Sequence, residues 1–416
     1  MKQITILFTL LFFASCGATT IKEVPKQTKT TFLLEPGTWK MTFDITCDED
    51  PIDKIDIRFE VDEKQNITFI NHTERIKIDD VRIMNDSITI VPQQFNSYFK
   101  GVKNSPTNFT GDWYNQFKKD YSIPFTAKKI SDGYMTFQCA NSIQKKYEVT
   151  FSNNTSDAYK AVGIFNTCNN NYCYGTFLTE TGDYRFLEGK LIDNQLVLSC
   201  FDGSHLFTFT GETKGDSIVN GTFNSGNHWY EPWVAKLNPK ASLTDPNTLT
   251  YLKEGFETID IKVQNLNGDT IHFNKEYYQG NVNVITIMGT WCPNCLDEAN
   301  YFTELFMKYN KQGFNVLPVS FEASDNFDEN IHYLKRFFAR HHIPFQPYYG
   351  GQIKKSTAGE KFHMLNKIMS FPTSIFIDKK GNVRKIHTGF YGPGTGEYYN
   401  KYKKETEEFV EMLLAE

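Results

Sequence analysis

The sequence predicts an α/β C-terminal domain joined to an all-β N-terminal region, a sandwich or a barrel. Two changes of rhythm carry this reading. From about residue 31 to 237, short alternating runs such as 54–61 (KIDIRFEV) and 206–210 (LFTFT) are separated by Gly, Asn and Asp, the pattern of strands and turns. After residue 255, apolar runs of strand length alternate with stretches of helical spacing, the pattern of an α/β domain. Between the two lies NPKASLTDPNTLT, with Pro239 and Pro246 among Ser, Thr and Asn, a linker signature. The expected division is a leader over 1–16, a tether over 17–30, a β-rich domain over 31–237, a linker over 238–255 and the α/β domain over 256–416.

In the β-rich part, aromatic residues are abundant, 15% of the chain with 36 Phe and 22 Tyr, which suits strands. A Gly-x-aromatic signature recurs as GTW at 37–39, GDW at 111–113, GIF at 163–165, and GTF at 175–177 and 221–223. TGD occurs at 110–112 and again at 181–183. These read as repeated turn-into-strand units of a meander, compatible with two related halves. No His and carboxylate cluster with metal spacing occurs here, and TCNNNYC (Cys168, Cys173) lacks the second cysteine pair a zinc site needs. A Cys168–Cys173 disulfide closing a hairpin is expected instead, with a second between Cys47 and Cys139.

In the α/β part, 282–288 (VNVITIM) reads as a buried strand and 293–310 as a helix. Residues 314–321 follow as a strand, 329–340 as a helix, 374–377 and 383–387 as strands, and 397–414 as a closing helix. The span 256–416 is of ordinary single-domain size.

The chain begins MKQITILFTLLFFASCGATT, a Lys2 start, an apolar run from Ile4 to Phe13, small residues and Cys16. A run of this length suits a signal peptide and is too short to span a bilayer. FASC at 13–16 resembles a bacterial lipobox, which implies that Cys16 is acylated and tethers a periplasm-facing lipoprotein to the inner or outer membrane of the cell envelope. The alternative is an ordinary signal peptide cut nearby, with Cys16 incidental. One acyl chain holds a protein only marginally, so a stable anchor needs two or three. A formal charge of −5 and the lack of a long basic run exclude nucleic acid as a partner. Of the eight cysteines, setting aside Cys16 and the pair Cys292/Cys295 leaves five, Cys47, Cys139, Cys168, Cys173 and Cys200, an odd number that leaves one unpaired.

The chemistry concentrates in 288–298, MGTWCPNCLDE. At a strand-to-helix junction, Cys292 sits at the mouth of the helix and Cys295 one turn inside on the same face. Pro293 at the helix start loses no hydrogen bond. The amides of the first turn and the positive end of the helix favour a thiolate on Cys292, which a permanent structural bridge would not need. A second motif, Ser370-Phe371-Pro372-Thr373, precedes SIFID. Together, WCxxC upstream and PT-x-x-x-ID downstream resemble the thioredoxin superfamily over 256–416, and the lipobox, the WCPxC form and the glutamate after it resemble its TlpA-like, membrane-tethered disulfide reductases.

That resemblance implies a thioredoxin-like fold and roles for individual residues. Cys292 would be the attacking thiol, Cys295 the resolving thiol, and Trp291 the aromatic that shields them. Pro372 would be the cis-proline, Phe371 would offer its backbone to a substrate strand, and Thr373 would complete that segment. Glu298 matches a carboxylate near the dithiol that relays the proton of Cys295; the alternative is a first-turn acid stabilised by the helix dipole. Where thioredoxins place a buried acid on the preceding strand, this sequence has Thr286. GPGTG at 392–396 lacks the lysine of a phosphate loop and reads as a flexible rim near the substrate groove.

The implied activity is protein or peptide disulfide reduction with electrons from a membrane donor, without cofactor or metal. A peroxiredoxin-like peroxidase shares the fold, but its cysteine follows a threonine by three positions, whereas Thr290 is two before Cys292. From another class, an envelope binding lipoprotein would use the β region to capture a ligand, with the redox domain accessory.

Overall fold

The computed structural model describes residues 33–45, 54–92, 95–116, 118, 120–130, 139 and 141–416. The expectations placed on the leader, the tether, Cys16 and Cys47 lie outside the described residues.

The β-rich region resolves into two successive barrel-like sheets. The first has nine antiparallel strands, each paired with the next in sequence except between Glu74–Ile78 and Asp80–Met84. The ninth strand, Ser122–Lys129, returns to pair with the first, Gly37–Asp44, so the sheet curls into an up-and-down barrel open at one seam. In the second, Ser142–Phe151 pairs on one side with Tyr159–Cys168 and on the other with Trp229–Leu237. Tyr159–Cys168 also pairs with Tyr172–Thr179, which closes a ring and removes the free edges. Both interiors are filled with rings: Trp39, Phe59, Phe69, Phe99 and Trp113 in the first, Phe151, Phe177, Phe209 and Trp233 in the second. Phe177 and Phe209 stack at 4.4 Å, and Trp39 and Phe59 at 5.7 Å.

The Gly-x-aromatic signature has a different meaning from the one expected. Only GTW at 37 begins a strand; GDW, GIF and both GTF lie within strands. The glycine and the aromatic two residues on share one face, and the aromatic points inward: Trp113, Phe165, Phe177 and Phe223 are all buried. A Cβ on Gly111 would meet the Lys100 carbonyl oxygen at 2.2 Å, and one on Gly175 the Ile164 carbonyl oxygen at 2.0 Å. The glycines therefore let curved strands approach where the barrel wall bends.

The expected Cys168–Cys173 and Cys47–Cys139 disulfides are both corrected by a Cys139–Cys168 bond, Cα–Cα 5.5 Å. Register explains why. Cys173 lies opposite Thr167, not Cys168, so consecutive-residue alternation sends the two sulfurs to opposite faces. Cys168 instead pairs with Ser142, three residues from Cys139, and that brings the two cysteines together. Cys173 and Cys200 are buried free thiols.

The C-terminal domain has a seven-stranded sheet in the order Thr270–Phe273, Ile261–Gln264, Tyr348–Gln352, Phe314–Glu322, Val282–Met288, Thr373–Ile377, Val383–Thr388. Val282–Met288 is central and buried at every position. Its alternate residues serve opposite faces: Val282 and Val284 join Phe302 and Leu305 of helix Pro293–Tyr309 and Val410 of helix Glu397–Ala415, while Ile285 and Ile287 join Leu317, Val319 and Ile375. Residues 238–255 pack on this domain, Thr388 Oγ1 donating to Thr250 Oγ1 at 2.8 Å and Leu252 bridging to Leu365.

Candidate active site

Strand Val282–Met288 ends at Gly289, and the chain turns into helix Pro293–Tyr309 with Cys292 as its N-cap. The Cys295 amide donates to Cys292 Sγ at 3.2 Å, one of the orphan first-turn donors that a cap satisfies. The two cysteines form a disulfide with Cα–Cα 5.2 Å, within the span that such a bond needs. Cys292 is 5% exposed and Cys295 1%, so the deeper sulfur is the less accessible.

Trp291 lies beside the dithiol, its Nε1 donating to the Phe321 carbonyl at 2.8 Å and its ring meeting Phe371 edge-on at 5.5 Å. A Cβ at Gly289 would stand 2.1 Å from Trp291 Nε1, which is why a glycine follows the strand. The Phe371–Pro372 peptide is cis and carries the Phe371 carbonyl oxygen to 3.5 Å from Cys292 Sγ. Thr373 is fully buried, and its Oγ1 donates to the Ser370 carbonyl at 2.9 Å across the cis-proline turn.

Glu298 is 1% exposed, one turn below Cys295, and accepts a hydrogen bond from Ser374 Oγ at 2.6 Å. Burial pushes its carboxyl up to about 8, against the smaller opposing effect of the Ser374 bond. The first turn of the helix holds no acid, and Glu298 lies buried beyond it. Ser374 is the cross-strand partner of Thr286, so the helix sets its carboxyl against the strand that neighbours Val282–Met288.

Sequence reasoning missed a second buried acid. Glu322 ends strand Phe314–Glu322 with no exposure. It accepts from the Thr290 amide at 3.0 Å, from Thr290 Oγ1 at 2.6 Å and from Ser320 Oγ, and burial pushes it up to about 7. It holds the loop that leads into Cys292. The available signal was a carboxylate closing the run FNVLPVSFE.

GPGTG is likewise not a loose rim. The Gly392 amide donates to Asp183 Oδ1 at 2.8 Å, and a Cβ on Gly394 would lie 2.8 Å from the Arg185 backbone. These glycines let the second barrel dock against the C-terminal domain.

Residues 255–386 match the model of the AhpC/TSA family. Curated relatives include the thiol-disulfide oxidoreductase ResA of Bacillus thuringiensis subsp. konkukian, 26% identical over 36% of this chain and 77% of that protein. The protein of the same name from Halalkalibacterium halodurans is 23% identical over 39% of this chain and 79% of its own length. The C-terminal region has a thioredoxin-like fold. Among solved structures, a putative thiol:disulfide interchange protein DsbE of Chlorobium tepidum is 19% identical over 38% of this chain and 99% of that one, with a TM-score of 0.29. In the thioredoxin-like domain, Cys292, Cys295, Trp291, Phe371 and Pro372 converge at one end of the central strand, with Glu298 beneath them.

Proposed function

We propose that the chain is a thiol–disulfide oxidoreductase of the bacterial envelope that reduces disulfides through Cys292 and Cys295. The observation that carries this reading is a dithiol seated as a helix N-cap with the Phe371 carbonyl 3.5 Å from its outer sulfur. The helix N-terminus favours a thiolate on Cys292. That thiolate attacks one sulfur of the substrate disulfide, an S–S bond forms between protein and substrate, and the second substrate sulfur leaves as a thiolate and takes a proton. Cys295 then attacks Cys292 Sγ, releases the first substrate sulfur and closes the Cys292–Cys295 bond, so two electrons pass to the substrate. Glu298 is buried beneath the dithiol and pushed up to about 8; its ionised fraction, which grows as pH approaches that value, accepts the Cys295 proton and then passes it to solvent.

Return to the dithiol requires an external dithiol donor, which we place at the membrane, with Cys16 as the lipid anchor. The curated relatives' shared description as thiol-disulfide oxidoreductases supports this reading over a peroxidase. The ring-filled barrels give no support to ligand capture inside them. The test uses full-length protein reduced with dithiothreitol and freed of it. One equivalent should reduce one equivalent of a disulfide-bridged peptide and become oxidised at Cys292–Cys295. Hydrogen peroxide consumption without peptide reduction would overturn the reading.

A further inference from the structure

The second barrel reaches into the dithiol site. Its short hairpin, strand Tyr172–Thr179 turning into Gly182–Asp183, lies against the start of helix Pro293–Tyr309 and two loops of the C-terminal domain. Asn294, between the two cysteines, donates from Nδ2 to the Asp183 carbonyl at 3.3 Å. Ser370, just before Phe371, donates from Oγ to the Thr181 carbonyl at 2.6 Å. Tyr391 donates to the Thr179 carbonyl at 3.0 Å. The contacts are close: a Cβ on Gly182, whose φ is +146°, would stand 2.5 Å from the side-chain Nδ2 of Asn294, and one on Gly389 would stand 2.9 Å from the Thr181 carbonyl carbon.

The hairpin is fixed there. Arg185, 8% exposed, bonds Asp297 of the active-site helix at 2.7 Å and Glu74 of the first barrel, tying all three sheets together at the dithiol. Of the residues flanking Cys292, Trp291 and Phe371 keep partial exposure, whereas Pro293, Ser370, Pro372 and Gly389 are buried.

We propose that the Thr181–Asp183 hairpin tip is a specificity element that leaves the Trp291–Phe371 side open, so the site takes disulfides carried on an extended, unfolded chain and rejects those held in a folded surface. This rests on the proposed reductase activity of Cys292. A folded partner docks through roughly 800 Å² of its surface and meets the barrel before its disulfide meets the thiol. A single extended strand needs only about 4.8 Å beside the Phe371 backbone.

The experiment compares kcat/KM of full-length protein, with dithiothreitol as donor, on a short peptide with an internal disulfide and on native insulin. Wild type should prefer the peptide at least a hundredfold. Gly182→Ala, which places a side chain at a backbone φ of +146° and crowds the Asn294 amide that bonds the tip, and Ser370→Ala, which removes the bond to Thr181, should each raise the insulin rate about tenfold and leave the peptide rate within twofold. Equal wild-type rates on both substrates, or variants that change both alike, overturn the proposal while leaving the reductase reading intact. Reduction of neither substrate by wild type overturns that reading and this proposal with it. Should a variant fail to fold, the wild-type preference decides alone.

Discussion

Glu298→Gln should make the protein's stability less dependent on pH, because the native state holds this carboxyl protonated. The carboxyl sits at about 8 in the folded protein against an ordinary 4.5. Below pH 4.5 both states carry the proton and the group adds no pH dependence. As pH rises from 4.5 to 8, the unfolded chain ionises while the native one does not, so stability is lost; above 8 the native carboxyl ionises too and the loss levels off. At ~1.36 kcal/mol per pKa unit, wild type should lose about 4 kcal/mol between pH 5 and pH 9 through this group alone. Glutamine cannot ionise and retains an oxygen for Ser374, whose hydroxyl bonds Glu298 at 2.6 Å. The assay is urea unfolding of the oxidised full-length protein at pH 5 and pH 9, wild type beside variant. The comparison cancels Glu322, which is also buried and sits at about 7. Parallel losses in the two proteins, differing by less than about 1 kcal/mol, would refute the reasoning.

Arg185→Met leaves Asp297 and Glu74 without their buried cation and should cost about 3 kcal/mol at pH 7; a urea midpoint close to wild type would count against the three-way tie. Peptide mapping without reductant should recover Cys139 joined to Cys168, with Cys173, pushed up to about 11 by burial, alkylated only after unfolding. A Cys168–Cys173 peptide would contradict the observed register. Cys16→Ala should move the protein from the membrane fraction to the soluble one, and a wild type already soluble would remove the anchor from the account.

The C-terminal domain was legible because its signals are local. Strand Val282–Met288 is one continuous apolar run, and the helix after it begins at Pro293, so the dithiol could be placed from spacing alone. The strands Ile261–Gln264, Thr270–Phe273 and Tyr348–Gln352 went unseen because they are short and lie at or near one edge of the sheet, where alternation is weak. In the barrels the strands were visible but their closure was not. Pairing of Tyr159–Cys168 with Tyr172–Thr179 depends on register, and a one-residue slip would have allowed the Cys168 bridge expected from spacing. TGD at 181–183 stood out as a repeat, yet its role comes from docking against Asn294 and Ser370, more than a hundred residues away. Glu298 was recognised by position, but its protonation follows from burial that no local pattern encodes.

The central claim is that Cys292 attacks and Cys295 resolves, and trapping tests it most directly. Cys292, the more exposed of the two at 5% against 1%, should form a mixed disulfide that only Cys295 releases. Full-length Cys295→Ser, reduced and then mixed with an oxidised disulfide peptide, should accumulate a covalent adduct at Cys292 on non-reducing gels, while Cys292→Ser accumulates none and reduces nothing. Adducts on Cys292→Ser instead, or on neither variant, would contradict the account.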